Sequence, residues 1–265
     1  MKTYSLHTIK LSKGEMTIYD FGGIKLHAYK TNDFIDDEVF IVEKNGCAVV
    51  IESPCFFDNN HTLEDYIKKL NVTIAGMLIA YHGAGGSFLP DAAKYATQNA
   101  VDYSENGGGK ALVDNFAQTF GSIFDNTIHK ITNILSEGKQ TIGGIDFVIT
   151  KTPEAFDIEI PEINAIYTHM LGHDCHSIVA GSAHADGIIH TLESYIQNGY
   201  DLILTSHYTP ENLKDAETKI AYLTDLKTIA AGCNDAEGFK AEVKKKYPDY
   251  AGEDYLEMTA GYFFS

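Results

Sequence analysis

The first fifty residues have a hydrophobic pattern that is typical of β-strands. Apolar residues alternate or cluster over residues 17–21 and 24–29, on either side of a Gly-Gly pair. Two further apolar runs, residues 39–42 and 48–51, flank Asn45-Gly46, a dipeptide that tolerates the positive φ angles of a tight hairpin turn. The pattern therefore predicts a strand-rich meander that contains a hairpin.

Helical and strand patterns alternate over the rest of the chain. A helix capped by Asn60 or Thr62 is predicted as far as Leu70, and the apolar run 74–80 predicts a buried strand that ends at His82. The same reasoning assigns helices to residues 90–99, 111–120, 186–197, 211–230 and 235–246, and strands to residues 141–142, 145–149, 164–168 and 201–205. This order predicts an α/β fold in which one domain contains two sheet-and-helix halves.

The net charge of the chain limits the classes of molecule that it is expected to bind. The 265 residues include 37 acidic and 20 basic side chains, every basic residue is a lysine, and the net charge is −17. Nucleic acids and anionic membranes need basic surfaces, and no apolar run approaches the ~18 residues of a membrane span. We therefore expect a small-molecule ligand or substrate, with no nucleic acid and no membrane as partner. The acidic clusters Asp33-Asp36-Asp37 and 249–254 lack calcium-loop spacing and are predicted to be solvated surface.

Cysteine usage and the N-terminal segment indicate the compartment. The four cysteines form no C-x-x-C pair, and the first residues lack the apolar core of a signal peptide. These features predict a cytoplasmic protein, and the length fits a single domain over residues 1–265. The apolar segment 255–264 is expected either to pack on its own domain or to form a homodimer contact, so both a monomer and a homodimer remain open.

Histidines are the residues that most suggest chemistry. His82 and His207 each follow an apolar strand, the position at which α/β folds gather their sites. Four histidines, an aspartate and a cysteine lie between residues 168 and 184, and imidazole, carboxylate and thiolate groups are common metal ligands. Partly buried histidines that only form hydrogen bonds would give the same composition.

The order and spacing of these pieces resemble the metallo-β-lactamase fold. The meander ends in Ile51-Glu52-Ser53-Pro54, and the strand before His82 stands where the family has its T-H-x-H-x-D-H motif. Residues 164–168 are similar to the strand before the family's T-G-D, and residues 201–210 to its closing P-G-H-x-x-P segment. The resemblance implies a four-layer αββα sandwich of mixed sheets with helices on both outer faces, in which His82 and His207 face one cleft.

The metal ligands depart from the family's pattern. Ala84, Gly86 and Ser87 stand where the family has His, Asp and His, and Met170 falls near its bridging aspartate. No histidine lies near residues 153–155, where the family has another ligand. Two surviving histidines cannot hold a catalytic zinc, because such sites need three protein ligands. We therefore expect neither the ordinary dinuclear site nor efficient β-lactam hydrolysis.

Three interpretations follow. In one, a divergent family member has lost most of its metal ligands and binds a small molecule or a partner in the former cleft. That cleft would be opened by Gly83, Gly85 and Gly86 and lined by His169. In another, the chain is an unrelated α/β protein with incidental histidines.

The remaining interpretation is a rebuilt metal site. It would join His82 and His207 to residues of the segment from His169 to His176, in which His173, Asp174 and His176 are the candidate ligands. Zinc or iron held there would support a metal-dependent hydrolase of esters, amides or lactones. His184 is the candidate for proton transfer, or for orienting a metal ligand through a hydrogen bond without contacting the metal.

Overall fold

The computed structural model describes residues 2–170 and 172–264. The chain divides into two compact units. Unit 1 consists of Met1–His169 and Leu204–Pro210, and unit 2 consists of Met170–Ile203 and Glu211–Ser265. The organisation of residues 1–265 as a single domain stays a prediction.

The first sheet has eight strands in chain order, and it is mixed. Its strands are β1 (Ser5–Lys10), β2 (Glu15–Asp20), β3 (Ile24–Lys30), β4 (Glu38–Lys44), β5 (Cys47–Ile51), β6 (Thr73–Leu78), β7 (Lys94–Ala96) and β8 (Asn133–Ile134). Strands β1 to β5 pair antiparallel, and β5 to β8 pair parallel. The predicted hairpin is present, because Asn45 and Gly46 both have positive φ angles, 50° and 76°.

Burial explains why the central strands are continuous apolar runs. Residues 39–42 of β4 and 48–51 of β5 are fully buried, as expected for strands covered on both faces. Helix α1 (Phe57–Leu70) buries Leu63 and Ile67 in the same core cluster. The helix starts at Phe57, earlier than the predicted caps, and its start has no side-chain cap.

The second sheet has six strands in the order β14-β13-β12-β11-β10-β9. Its strands are β9 (Gly138–Ile142), β10 (Ile145–Lys151), β11 (Phe156–Ile160), β12 (Ala165–Thr168), β13 (Leu202–Thr205) and β14 (Tyr208–Glu211). Strands β9 to β12 pair antiparallel. Tyr167 of β12 packs edge-on against Phe40 of β4, with ring centroids 5.9 Å apart, so the two sheets are in contact within unit 1.

The predicted helix over residues 90–99 is wrong. Strand β7 occupies residues 94–96, and helix α2 (Gln98–Asn106) begins only at Gln98. Lys94 and Tyr95 pair with Met77 and Leu78 of β6, so sheet hydrogen bonds override the local helical pattern there. Helix α3 (Gly108–Phe120) confirms the neighbouring helix and extends it toward the N-terminus.

Unit 2 contributes four helices to the described part of the chain. They are α4 (Ser182–Asn198), α5 (Leu213–Gly232), α6 (Ala236–Lys246) and α7 (Glu253–Phe263). Asn212 and Asp215 form a capping box at the start of α5. Phe263 of α7 stacks on Phe239 of α6, so the apolar C-terminal segment packs within its own unit. No helix among the described residues is both long enough and apolar enough to cross a membrane.

Candidate metal centre

Three histidines converge where strands of unit 1 end. His82 follows β6, His169 follows β12, and His207 lies between β13 and β14. One candidate ligand atom from each ring lies within 4.8 Å of the others. The Nε2 atoms of His169 and His207 are 3.2 Å apart. Since His169 is exposed, the group can be reached from solvent.

The spacing of these nitrogen atoms fits a metal ion. Two nitrogen ligands at ~2.0–2.1 Å from a tetrahedral zinc are about 3.3 Å apart, close to the 3.2 Å between His169 and His207. Three imidazoles suit zinc, iron or copper better than magnesium or calcium, which prefer oxygen ligands. The donor set therefore fits a single transition-metal ion with an open coordination position.

Asp37 lies beside two of these rings. Its Oδ1 atom is 3.4 Å from Nδ1 of His207 and 3.7 Å from Nδ1 of His82. The carboxyl group is fully buried, which corrects the prediction that the Asp33-Asp36-Asp37 cluster is solvated surface. Burial raises the pKa of Asp37 well above its usual range, and Asp33 adds to the rise.

A tight loop between β3 and β4 turns Asp37 inward. The backbone N–H and the hydroxyl of Thr31 both donate to the carbonyl of Asp37, at 3.1 and 2.8 Å. Asp33 accepts a hydrogen bond from the backbone N–H of Ile35 at 3.0 Å. These bonds close the loop on itself, so its last acidic residue enters the core at the start of β4.

The same loop fixes the tautomer of His207. Nδ1 of His207 lies 3.1 Å from the carbonyl oxygen of Ile35. A carbonyl can only accept a hydrogen bond, so we assign the proton to Nδ1. Nε2 then presents its lone pair toward His169, which is the form that a metal ligand requires.

Glu52 links the ends of three strands through hydrogen bonds. Its Oε1 atom accepts hydrogen bonds from the backbone N–H of Tyr81 and the hydroxyl of Tyr167, both at 2.7 Å, and Oε2 accepts from the backbone N–H of His82 at 3.2 Å. Tyr167 also hydrogen-bonds the hydroxyl of Ser206 at 2.7 Å. Each of these partners is itself a site histidine or lies one or two residues from one. The network therefore fixes the backbone around all three rings.

Both the burial and the backbone conformation of Glu52 are energetically unfavourable. Burial raises its pKa to about 7, although the hydrogen bonds from Tyr81, Tyr167 and His82 oppose the rise. Its backbone has a φ angle of 64°, in the left-handed region that non-glycine residues rarely adopt. Strain of this kind persists where the surrounding contacts determine the conformation, and it is common at functional sites.

The three imidazoles favour the neutral state. Burial lowers the pKa of His82 well below its usual value, and the neighbouring rings of His207 and His169 lower it further. Desolvation by the rings packed around it, and the nearby ring of His207, lower the pKa of His169 as well, although part of this residue faces solvent. Burial also lowers the pKa of His207, against the opposing effect of the Ile35 carbonyl. Neutral imidazole is the metal-binding form.

The other predicted ligands have different partners. Glu211 accepts a hydrogen bond from the backbone N–H of His173, at 2.7 Å, and pairs with its Nδ1 at 2.8 Å. His176 is buried, with Nδ1 3.0 Å from the hydroxyl of Tyr222, and Asp174 is exposed. Among the described residues, the three-histidine group contains none of these side chains. Its third member is His169, the first residue of the segment 169–176 that was expected to supply the remaining ligands, although His173, Asp174 and His176 were the candidates named within that segment.

His184 has a local structural contact. It lies in the first turn of α4, its side chain is exposed, and its Nδ1 accepts a hydrogen bond from the backbone N–H of Ala180 at 3.0 Å. That contact satisfies a backbone donor at the helix start. Its part in proton transfer stays a prediction.

The glycines after His82 lie close to neighbouring groups. A Cβ atom would lie 2.7 Å from the Ser104 side chain at Gly83, 2.3 Å from the Pro54 carbonyl at Gly85, and 2.8 Å from the Thr127 carbonyl at Gly86. These residues allow the loop to pack closely against neighbouring backbone. Close packing is thus one role of these glycines, and the cleft that they were expected to open stays a prediction.

Sequence reasoning missed Asp37 and Glu52. A usable signal existed for Glu52, since a single acidic residue follows the fully apolar run 48–51. Asp37 and Glu38 likewise come directly before the apolar run 39–42 of β4. A carboxylate at the edge of a buried strand is either partnered or functional.

Comparisons with known proteins address the fold. No protein-family model and no curated protein matches the sequence. Among solved structures, the metallo-β-lactamase family protein TTHA1429 from Thermus thermophilus matches with a TM-score of 0.62 and 11% identity, over 91% of each chain. A metallo-β-lactamase from Erythrobacter litoralis, with β-mercaptoethanol in its active site, matches with a TM-score of 0.55 and 12% identity, over 83% of this chain and 100% of that one.

A third solved structure is longer. The stereoselective inverting sec-alkylsulfatase Pisa1 from Pseudomonas sp. matches with a TM-score of 0.61 and 14% identity, over 89% of this chain and 48% of that one. This chain therefore spans about half the length of the alkylsulfatase. The matches confirm the predicted α/β class and the resemblance stated from the sequence: the chain has the metallo-β-lactamase fold.

Proposed function

We propose that this protein is a metal-dependent hydrolase with one metal ion held by His82, His169 and His207. The observation that carries the proposal is the convergence of the three rings, with one ligand atom of each within 4.8 Å of the others. It revises the rebuilt site expected from the sequence, since His169 takes the place of His173, Asp174 and His176.

The chain's own residues prepare the site. The Ile35 carbonyl holds the proton of His207 on Nδ1, and the backbone bond from His82 to Glu52 fixes the start of the His82 loop. Tyr81 stacks on His169 with ring centroids 4.9 Å apart, which limits rotation of that ring. When bound, zinc or iron would supply Lewis acidity and lower the pKa of water.

The substrate class follows from the relatives and from charge. The matched structures are described as metallo-β-lactamases and an alkylsulfatase, which supports hydrolytic chemistry at this position of the fold. This chain has no arginine to clamp a carboxylate or sulfate. Neutral esters, amides or lactones are therefore the proposed substrates.

One observation favours a second candidate function. A 3.2 Å distance between Nε2 of His169 and Nε2 of His207 is also a hydrogen-bond length, if one ring donates to the other. In that case the protein would bind a small molecule without metal, in the site of a former hydrolase.

A metal-reconstitution assay separates the two candidates. Tag-free protein is treated with a chelator, dialysed, and assayed with p-nitrophenyl acetate, p-nitrophenyl butyrate and a γ-lactone, with and without Zn²⁺ or Fe²⁺. The hydrolase predicts turnover that depends on the metal and is lost in His207→Ala, but is retained in His190→Ala, where an exposed histidine of α4 changes. The proposed hydrolase function would be overturned if the protein binds no metal and its turnover is either absent or independent of added metal.

A further inference from the structure

Asp37 has an unusual environment for a carboxylate. Its side chain is fully buried, and neither Oδ1 nor Oδ2 makes a hydrogen bond of good geometry, so that the nearby Cys55 thiol is the one side chain that lowers its pKa by hydrogen bonding. Burying such a group without partners is expensive, and most buried polar atoms in proteins are satisfied. The position therefore calls for a compensating interaction.

The atoms that face Asp37 belong to the candidate metal ligands. Nδ1 of His82 is also buried without a hydrogen-bond partner, and it lies 3.7 Å from Oδ1 of Asp37. Nδ1 of His207 lies 3.4 Å from the same oxygen while it donates to the Ile35 carbonyl. One carboxylate oxygen thus faces the Nδ1 atoms of two site rings.

The nearby titratable groups bring no positive charge to Asp37. Those that act on it most strongly are Asp33, Cys55, Glu52 and Asp36, and none is a cation. A metal ion beyond the two rings would supply the missing positive charge. Imidazoles that bind a metal through one nitrogen commonly donate the other N–H to a carboxylate, which fixes the ring and its tautomer.

We infer that Asp37 is a positioning residue of this centre, a buried carboxylate that orients both His82 and His207 for metal binding. The inference rests on the proposed function. It assigns Asp37 no contact with metal or substrate. It also explains why the loop between β3 and β4 buries an acid that stability alone would disfavour.

The test compares Asp37→Asn with Asp36→Asn. Asparagine has nearly the shape of aspartate but no charge, and Asp36 is an exposed neighbour in the same loop. We expect Asp37→Asn to weaken Zn²⁺ affinity by roughly 10–100-fold and to alter the visible spectrum of the Co²⁺-substituted protein, as loss of a partner behind metal-bound histidines does. The unfolding temperature of the metal-free variant should be equal to or above that of the parent. Asp36→Asn should change none of these by more than about twofold.

The outcomes separate this inference from the proposed function. If the parent protein binds neither Zn²⁺ nor Co²⁺, the proposed function fails. If the parent binds Zn²⁺ and Asp37→Asn binds it equally well with an unchanged Co²⁺ spectrum, the positioning role is overturned. A lowered unfolding temperature in Asp37→Asn with unchanged affinity would instead show a purely structural role and would also overturn it.

Discussion

His129 and Ser53 form a buried pair beside the loop that follows His82. Nε2 of His129 lies 2.7 Å from the Ser53 hydroxyl, and the backbone N–H of His129 donates to the Gly83 carbonyl at 3.1 Å. Ser53 also lies 3.0 Å from the Ala84 carbonyl, to which it donates. These contacts hold the loop that follows His82.

His129 should make stability depend on pH. Burial lowers its pKa to about 3, against 6.5 in the unfolded chain. Below pH 6.5 the unfolded chain therefore binds a proton that the folded chain does not, so stability is lost as the pH falls from 6.5 toward 3. Between pH 7 and pH 5 this loss is about 2 kcal/mol.

Urea unfolding of metal-free protein at both pH values measures this loss, with His129→Gln as the comparison. The glutamine variant should lose about 2 kcal/mol less than the parent between pH 7 and pH 5. Equal losses in the two proteins would show that His129 takes up a proton in the folded state as readily as in the unfolded one.

The sequence reveals the type of each residue but not whether its side chain is buried. His82 and His207 could be selected because each ends an apolar strand. His169 also follows a predicted strand, but neither its choice over His173, Asp174 and His176 nor the role of Asp37 could be assigned, because both depend on distances between segments far apart in the chain. The dense histidine segment 169–184 was misleading for the same reason, since Glu211 and Tyr222 are the partners of His173 and His176.

At the scale of elements, turns were predicted best. Asn45-Gly46 and Gly143-Gly144 both connect antiparallel strands, because short-range φ preferences determine such hairpins. The three-residue strand β7 was predicted as helix, since its pairing with β6 and β8 depends on partners distant in sequence. Strands β11 and β14 were not predicted at all.

The glycine loop after β6 yields a test of close packing. Gly85 has a φ of +84°, and a Cβ there would lie 2.3 Å from the Pro54 carbonyl and 2.6 Å from the Ser53 hydroxyl. Gly22 has a φ of +90° with nothing within 4 Å, so it serves as the matched control. Both alanine variants carry the left-handed backbone cost of ~1–2 kcal/mol, and overpacking adds ~1–3 kcal/mol only at Gly85.

Thermal and urea unfolding of the two variants compare these costs. Gly85→Ala should be less stable than Gly22→Ala by at least about 1 kcal/mol. It should also weaken metal binding, because the loop begins at His82. Equal stability of the two variants would contradict the packing role assigned to this loop.

On the scale of the whole molecule, charge should govern substrate choice. The chain has a net charge of −17 and no arginine, and Asp33, Asp36 and Asp37 lie in the loop beside the histidine group. Like-charge contacts cost several kcal/mol, so anionic substrates should be disfavoured.

Turnover of p-nitrophenyl butyrate and p-nitrophenyl sulfate tests this directly. We expect kcat/KM for the neutral ester to exceed that for the sulfate by at least roughly tenfold, and the ratio to narrow as salt screens the surface charge. A preference for the sulfate would contradict the substrate class proposed here.

The order of the predicted strands, and of the segments that follow them, was enough to predict the fold. No single segment matches the ligand motifs of the metallo-β-lactamases. The α/β class and the metallo-β-lactamase fold are confirmed. Two of the three histidines in the proposed ligand set were singled out from the sequence, and the third, His169, is selected only by its distance from the other two. Its assignment is therefore the claim that most needs measurement.

Calorimetric titration of Zn²⁺ into tag-free, chelator-treated protein tests that claim most directly. We expect one Zn²⁺ per chain in the parent and in His173→Ala, and loss of that binding in His169→Ala. Zn²⁺ binding that survives His169→Ala, or that disappears in His173→Ala, would contradict the three-histidine centre.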